Sequence, residues 1–278
     1  MKTYKEKPNL QNTVVVSVAA WNDADFRTEI FRRSAEKQGI KVHFIDYGAE
    51  WQGFYQHKIT NLRRELLKQK ENGIRYALFA DARDVVFVGS AEEIINRFAL
   101  LDQGSILFAA DKPQTVFPFQ EPWFQKALAA HCSNGYGVLN AGTYAGDIVA
   151  ILSLFDECDR LRETACQLNG MPTIPLERAL IEGKKFYFDD DQFFVQILQA
   201  QGYPGIHVDT EKQLFAVFDH EYPPIRERIS LPPEDERSLG TALILHSPWL
   251  SKKETEKGES LWKQWVIREK IIDPILRK

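Results

Sequence analysis

Hydrophobic residues in the first half of the chain alternate between short continuous runs and longer stretches with helical spacing. The run Thr13–Ala20 (TVVVSVAA) is typical of a strand buried on both faces. Ala24–Gln38 has helical spacing and ends at Gly39, a common helix stop. The pattern continues with predicted strands at Lys41–Tyr47, Arg75–Ala80 and Ser105–Ala110, and helices at Phe54–Lys70 and from the capping residue Ser90 to Leu100. This order predicts an α/β fold with a mostly parallel sheet flanked by helices, and a ligand site at the carboxyl ends of its strands.

The second half is less regular. Its predicted strands are Val138–Ala145, Gly205–Val208, Leu214–Phe218 and Ala242–Leu245, and its predicted helices are Asp147–Gln167, Asp191–Gln201 and the amphipathic Leu261–Leu276. Proline and charge dominate Glu221–Gly240, which predicts a surface loop. With no internal repeat or clear linker, we expect a flexible N-terminus at residues 1–12, one domain at 13–250 and a C-terminal helical extension at 251–278.

Composition and charge narrow the class of protein. A chain of 278 residues with 44% hydrophobic residues can form one large core. The formal net charge of −4 shows no excess of the basic residues that bind nucleic acid, so we expect no nucleic-acid partner. Three cysteines without metal-type spacing predict reduced thiols. Because the start is polar and no apolar run reaches roughly 18 residues, we expect a cytoplasmic location.

The strongest chemical signal is Tyr76–Phe87, with the sequence YALFADARDVVF. A buried strand runs directly into Asp81 and Asp84, and buried carboxylates are costly unless something compensates them. Two carboxylates three residues apart on a turn can converge on Mg²⁺ or Mn²⁺, which prefer oxygen ligands. Alternatively, Asp81 caps the turn and Asp84 pairs with Arg83 or another surface base. This string alone leaves both interpretations open.

Other polar residues follow later strands. Asn140 and Gly142 lie on the predicted strand Val138–Ala145, where glycine lets a ligand or a second backbone approach closely. The triplet Asp189–Asp191 opens a helix, and three adjacent carboxylates exceed what capping requires. His246 follows the last predicted strand; taken alone, such a histidine is more often structural.

Taken in order, these segments resemble the motifs of a known glycosyltransferase family. The succession YALFADARDVVF, LNAGTYAG, FDDDQFF and LILHSPW is similar to the glycosyltransferase domain of the procollagen lysyl hydroxylase and collagen galactosyltransferase group. The resemblance covers about residues 13–250. It implies a GT-A, Rossmann-like fold and a metal-dependent glycosyltransferase that moves a hexose from a UDP-sugar to an acceptor hydroxyl. UDP-glucose and UDP-galactose are the favoured donors, and a glycan, peptide or small molecule is the acceptor.

The resemblance also implies roles for individual residues. The metal ligands for Mn²⁺, or alternatively Mg²⁺, would be Asp81, Asp84 and His246. The residues near the donor would be Lys58, Asp81, Arg83, Asn140 and Gly142, and the residues facing the reacting sugar or acceptor, our catalytic candidates, would be Asp190 and Asp191. A surface location for Lys58 is an equally acceptable alternative. Arg83 stands where the family carries an aromatic residue, which puts base stacking there in doubt.

Three other interpretations remain open at this stage. A catalytically inactive GT-A protein that binds carbohydrate or nucleotide would keep the fold but lose a metal ligand. A nucleotidyltransferase would share the sheet and the paired carboxylates, but no glycine-rich phosphate loop follows the first strand. The C-terminal helix, with Trp262 and Trp265, could contact a membrane surface, although we prefer packing on the domain or on a second copy in a homodimer.

Overall fold

The structure is a computed structural model that describes residues 6–20, 26–101, 104–111, 122–130, 137–168, 176–177, 180–181, 189–217 and 241–246. The predicted loop Glu221–Gly240 and the predicted C-terminal helix Leu261–Leu276 lie outside the described residues. The division into an N-terminus, one domain and a C-terminal extension therefore stays a prediction.

The described strands are β1 (Thr13–Val18), β2 (Val42–Ile45), β3 (Tyr76–Ala80), β4 (Val85–Phe87), β5 (Ile106–Asp111), β6 (Val138–Asp147), β7 (Ile206–Asp209), β8 (Phe215–Val217) and β9 (Ile244–His246). Six of them form the main sheet in the order β2-β1-β3-β6-β5-β7. Neighbours pair in parallel, except that β6 runs antiparallel to both β3 and β5. The α/β class and the mostly parallel sheet are confirmed, while the reversed strand was not foreseen.

A second sheet of three strands lies beside the main one, in the order β4-β9-β8. Strand β4 follows β3 after a turn of four residues, Asp81–Asp84. It pairs antiparallel with β9, so that Val85 lies opposite His246. This pairing brings residues that are far apart in sequence to one place at the edge of the main sheet.

The helices are α1 (Phe26–Lys37), α2 (Leu62–Glu71), α3 (Ala91–Leu101), α4 (Pro122–Ala129), α5 (Ile148–Gln167) and α6 (Asp191–Ala200). One face of the main sheet packs against apolar residues of α2, α4, α5 and α6. The other face packs against α1, α3 and the small sheet. Two hydrophobic cores thus enclose the sheet, as the continuous apolar strand runs predict. Helix α4 was not predicted.

The predicted helix Phe54–Lys70 contains an irregularity. A π-helical segment at Gln56–Asn61 precedes α2, and it buries three consecutive residues, His57, Lys58 and Ile59. A regular amphipathic α-helix would turn one of three consecutive residues outward, so the wider turn lets all three face the interior. Segments of this kind are rare and often mark functional sites.

Candidate functional site

The carboxyl end of β3 carries a three-residue cluster. Ligand atoms of Asp81, Asp84 and His246 all lie within 4.8 Å of one another. Asp81 and Asp84 come from the turn after β3, and His246 is the last residue of β9. Two carboxylates and an imidazole form a donor set that Mn²⁺ and Mg²⁺ can accept. The structure therefore brings together the three residues predicted to hold a metal.

Three buried polar atoms of this cluster have no hydrogen-bond partner. Asp84 Oδ1 and both ring nitrogens of His246 are buried without a hydrogen bond, although Nε2 of His246 lies 3.4 Å from Asp84 Oδ1. Buried polar groups are normally hydrogen-bonded, because leaving one unpaired costs free energy. A cation bound by these atoms would remove that cost. The residues present thus fit a divalent metal.

Gly142 makes the cluster sterically possible. A Cβ placed at Gly142 would lie 2.1 Å from Cε1 of His246 and 2.8 Å from Asp81 Oδ2. The backbone N–H of Asp81 donates to the carbonyl oxygen of Gly142 over 2.9 Å. Gly142 therefore lies against two metal candidates, whereas the sequence analysis placed it only near the donor.

Lys58 is not the surface lysine that one interpretation allowed. Its side chain is buried, and Nζ lies 2.8 Å from Asp81 Oδ1 and 3.8 Å from Asp191 Oδ1. Burial opposes its charge, but the carboxylates of Asp191 and Asp81 outweigh burial, so the pKa of Lys58 is raised. Lys58 is thus an ammonium ion that lies between Asp81 of the three-residue cluster and Asp191 of the aspartate triplet.

The three residues of the aspartate triplet have different environments. Asp189 is 69% exposed in its side chain and lies 3.6 Å from Arg162 Nη2. Asp190 caps α6, its Oδ1 accepting the backbone N–H of Gln192 over 2.9 Å. Asp191 is buried and faces Lys58. Of the two catalytic candidates, Asp191 is therefore the one that Lys58 links to Asp81, and Asp190 is the one that caps the helix.

Three carboxyl groups of this region have raised pKa values. Burial raises the pKa of Asp81 to about 6, with Lys58 opposing the shift. Burial, together with the neighbouring Asp191 carboxylate, raises the pKa of Asp190 to about 7. Burial also raises the pKa of Asp191, against the opposing charge of Lys58. Such raised values cluster at functional sites, where a bound cation or substrate supplies the missing compensation.

Asn140 is buried, and both ends of its side-chain amide are engaged. Its Nδ2 donates to Asp111 Oδ2 over 3.1 Å, and its Oδ1 accepts the N–H of Gly142 over 2.8 Å. The structure thus shows Asn140 supporting the backbone at Gly142. Sequence reasoning did not single out Asp111, although it follows a buried strand in the same way as Asp81.

A second network lies at the end of β2. His57 is buried, and its Nδ1 lies 2.6 Å from Asp46 Oδ2 while its Nε2 accepts the N–H of Gln52 over 2.9 Å. The ring of Trp51 stacks on that of His57 with 4.9 Å between centroids. This network was also missed, because none of its members forms a recognisable local motif. It fixes the segment that leads into Lys58.

Arg83 lies between the two metal-candidate aspartates in sequence and is partly buried, with a buried Nε. Its predicted contact with the donor stays a prediction.

The fold is that of the GT-A class, an α/β sheet flanked by helices. Residues 9–171, more than half of the chain, match the family model described as the PLOD GT domain. The chain belongs to this glycosyltransferase family. No curated protein sequence matches the chain.

The matched segment includes only part of the site. The candidates within it are Lys58, Asp81, Asp84, Asn140 and Gly142, and those beyond it are Asp190, Asp191 and His246. Of these three, His246 has a ligand atom within 4.8 Å of those of Asp81 and Asp84, Asp191 lies 3.8 Å from Lys58, and Asp190 caps α6. Among the residues that the structure describes, no helix combines the length and apolar character required to cross a membrane.

Proposed function

We propose that this glycosyltransferase is metal-dependent and transfers a hexose from a UDP-sugar to an acceptor hydroxyl. The observation that carries the proposal is the cluster of Asp81, Asp84 and His246, whose ligand atoms lie within 4.8 Å of one another. Lys58 connects this cluster to Asp191. One region thus combines a cation site with a buried carboxylate next to it.

Mn²⁺ or Mg²⁺ would be held by Asp81, Asp84 and His246, and would supply Lewis-acid stabilisation of the charge on the leaving diphosphate. Three protein ligands leave coordination positions for phosphate oxygens. Lys58 holds Asp81 in place through its ion pair and adds a fixed positive charge beside the phosphate position. Gly142, which has no Cβ, leaves room for the His246 ring and the Asp81 carboxylate at this site.

Asp191 would act on the reacting sugar or the acceptor. It lies at the first turn of α6, while Asp190 already satisfies the helix amide at Gln192. Capping of the helix therefore does not depend on the carboxylate of Asp191 alone. Burial raises the pKa of this carboxyl, which suits it to accept a proton, and the nearby Lys58 opposes the shift. An ionised carboxylate can orient a hydroxyl or accept its proton. Asp190 would support this group by fixing the start of the helix.

The donor would be UDP-glucose or UDP-galactose, and the acceptor a glycan, a peptide or a small molecule. A cytoplasmic location and a homodimer are part of the same proposal. They follow from the sequence reasoning above and from no structural observation.

The test is a donor-hydrolysis screen. The purified full-length chain is incubated with a panel of nucleotide sugars, with Mn²⁺ or with a chelator, and nucleotide release is measured. We expect UDP release from a UDP-hexose only when Mn²⁺ is present. Asp84→Asn serves as the site variant, and Asp156→Asn, an exposed aspartate on α5, as its matched control.

The alternatives give different results in the same assay. An inactive binding protein would release no nucleotide from any donor yet would still be stabilised by UDP with Mn²⁺. A nucleotidyltransferase would catalyse pyrophosphate exchange instead. UDP release that persists in excess chelator would contradict the metal-dependent proposal.

A further inference from the structure

Strand β6 is distorted next to the candidate site. Phe108 of β5 pairs with Tyr144, but the next residue, Ala109, pairs with Asn140, so residues 141–143 of β6 have no partner on β5. On its other side, β3 pairs only with residues 143–147. The bulge therefore removes ladder partners from the part of β6 that contains Gly142. Bulges of this kind are common beside active sites, where they redirect the backbone.

Three glutamines of α6 bind the backbone that the sheet leaves unpaired. Gln192 Oε1 accepts the N–H of Ala141 over 3.1 Å. Gln196 Nε2 donates to the carbonyl oxygen of Leu139 over 3.1 Å. Gln199 Oε1 accepts the N–H of Leu139 over 3.1 Å, and its Nε2 donates to the carbonyl oxygen of Gly137 over 2.6 Å. We call these three side chains the glutamine ladder.

The ladder has a direct geometric link to the site. Spacings of four and seven residues put the three glutamines on one face of α6. The same helix begins at Asp191, and the bound segment of β6 leads into Gly142, which lies against His246 and Asp81. Hydrogen bonds along this face therefore fix the position of Asp191 relative to the metal candidates.

Gln196 indicates that packing alone does not explain the ladder. Its side chain is fully buried, and its Oε1 has no hydrogen-bond partner among the described residues. An unpaired buried oxygen lowers stability, so an apolar residue of the same shape would suit a purely structural position better. What the amide supplies is the N–H that holds Leu139.

We propose that Gln192, Gln196 and Gln199 are positioning residues that hold Asp191 in register with the cluster of Asp81, Asp84 and His246. The inference rests on the proposed function and adds to it the means by which two separate segments are aligned. None of the three glutamines needs to touch a substrate. Their effect on turnover passes through the placement of Asp191.

The experiment compares two ladder variants with a matched packing variant of the full-length chain. Gln196→Met removes one hydrogen bond and the unpaired oxygen, and Gln199→Met removes two hydrogen bonds. Ile197→Val, a buried change on the same helix, loosens packing and leaves the ladder intact. The measurements are kcat and KM for UDP-sugar hydrolysis, the melting temperature, and amide hydrogen exchange of residues 137–141.

We expect both ladder variants to lower kcat by about tenfold to a hundredfold, the range that misplacement of a reacting group produces. KM for the UDP-sugar should stay near the parental value, because Asp191 is proposed to act in the transfer step and not to hold the diphosphate. Exchange at the amide of Leu139 should become faster in Gln199→Met. Ile197→Val should lower the melting temperature without lowering kcat.

Parental kcat in both ladder variants would overturn the inference, as would a loss of kcat in Ile197→Val in proportion to its lower melting temperature. If the parent protein releases UDP from no donor, the proposed function fails. Exchange at residues 137–141 and Mn²⁺ affinity then decide separately whether the ladder holds the site. If Gln199→Met then has parental hydrogen exchange at residues 137–141 and parental Mn²⁺ affinity, the positioning role of the glutamines is overturned.

Discussion

Gly142 and His246 lie so close that no side chain fits between them. A Cβ at Gly142 would be 2.1 Å from Cε1 of the His246 ring, a distance that real Cβ contacts do not show. The two residues are far apart in sequence and come from different sheets, so their contact fixes how the small sheet meets the main one. The metal candidates depend on this contact because Asp81 touches the same glycine.

The first prediction concerns this contact. Gly142→Ala should displace His246 and weaken Mn²⁺ binding by about tenfold or more, as loss of a supporting residue at a metal site commonly does. Calorimetric titration with Mn²⁺ provides the measurement. Gly146→Ala is the matched control, since its Cβ would press on Ile106 at 3.1 Å, away from the metal candidates. Equal Mn²⁺ affinity in Gly142→Ala and the parent would show that His246 is not a ligand.

The second prediction tests a metal candidate itself. Asp84→Asn should weaken Mn²⁺ binding by more than about a hundredfold. Loss of a residue that only supports a ligand weakens metal binding by up to about a hundredfold, and Asp84 is proposed to be a ligand itself. The fold should persist, because Asp84 is partly exposed and its Oδ1 makes no hydrogen bond. Titration with Mn²⁺ is measured alongside thermal unfolding in chelator. If Asp84→Asn binds Mn²⁺ like the control Asp156→Asn, the metal site lies elsewhere.

The third prediction concerns Lys58. Lys58→Met keeps the apolar stem but leaves Asp81 and Asp191 without their shared cation, which should lower metal-free stability by about 3 kcal/mol. Mn²⁺ should then stabilise this variant more than the parent, because the ion replaces part of the missing positive charge. Denaturant unfolding with and without Mn²⁺ measures both effects. Lys68→Met, an exposed change on α2, should change stability by no more than about 0.5 kcal/mol. An equally small change in Lys58→Met would contradict the buried ion pair.

The fourth prediction separates the members of the aspartate triplet. Asp191→Asn should lower transfer or hydrolysis by at least about a hundredfold, the range of a lost general base or orienting group. UDP affinity in the presence of Mn²⁺ should change little. Asp189→Asn should behave like the parent, because Asp189 is 69% exposed.

Kinetics and UDP binding are measured on the same preparations of these variants. Near-parental turnover by Asp191→Asn would transfer the role to Asp190, tested with Asp190→Asn. Asparagine retains the capping ability, so this change removes charge and little structure. Loss of UDP binding together with turnover would instead place Asp191 in the metal site.

Local sequence patterns predicted most of the strands and helices and part of the candidate site. Continuous apolar runs such as Thr13–Ala20 predicted buried strands, and a strand leading into Asp81 and Asp84 predicted a polar site at its carboxyl end. Ser90 caps α3 as predicted: its hydroxyl accepts the N–H of Glu93 over 3.3 Å, and its own N–H donates to Oε2 of Glu93 over 2.8 Å. These features depend on neighbours within a few residues, so the sequence determined them by itself.

Three other features were decided only by the tertiary structure, because each depends on contacts between residues that are distant along the chain. Strand β6 runs antiparallel to its two neighbours, β3 and β5. A continuous hydrophobic run predicts a buried strand but does not predict the direction of that strand in the sheet. Burial of Lys58 is favourable only where Asp81 and Asp191 meet it. The glutamine ladder exists only because β3 pairs with residues 143–147 alone, which leaves the backbone groups of Leu139 on that side of β6 to the glutamines of α6.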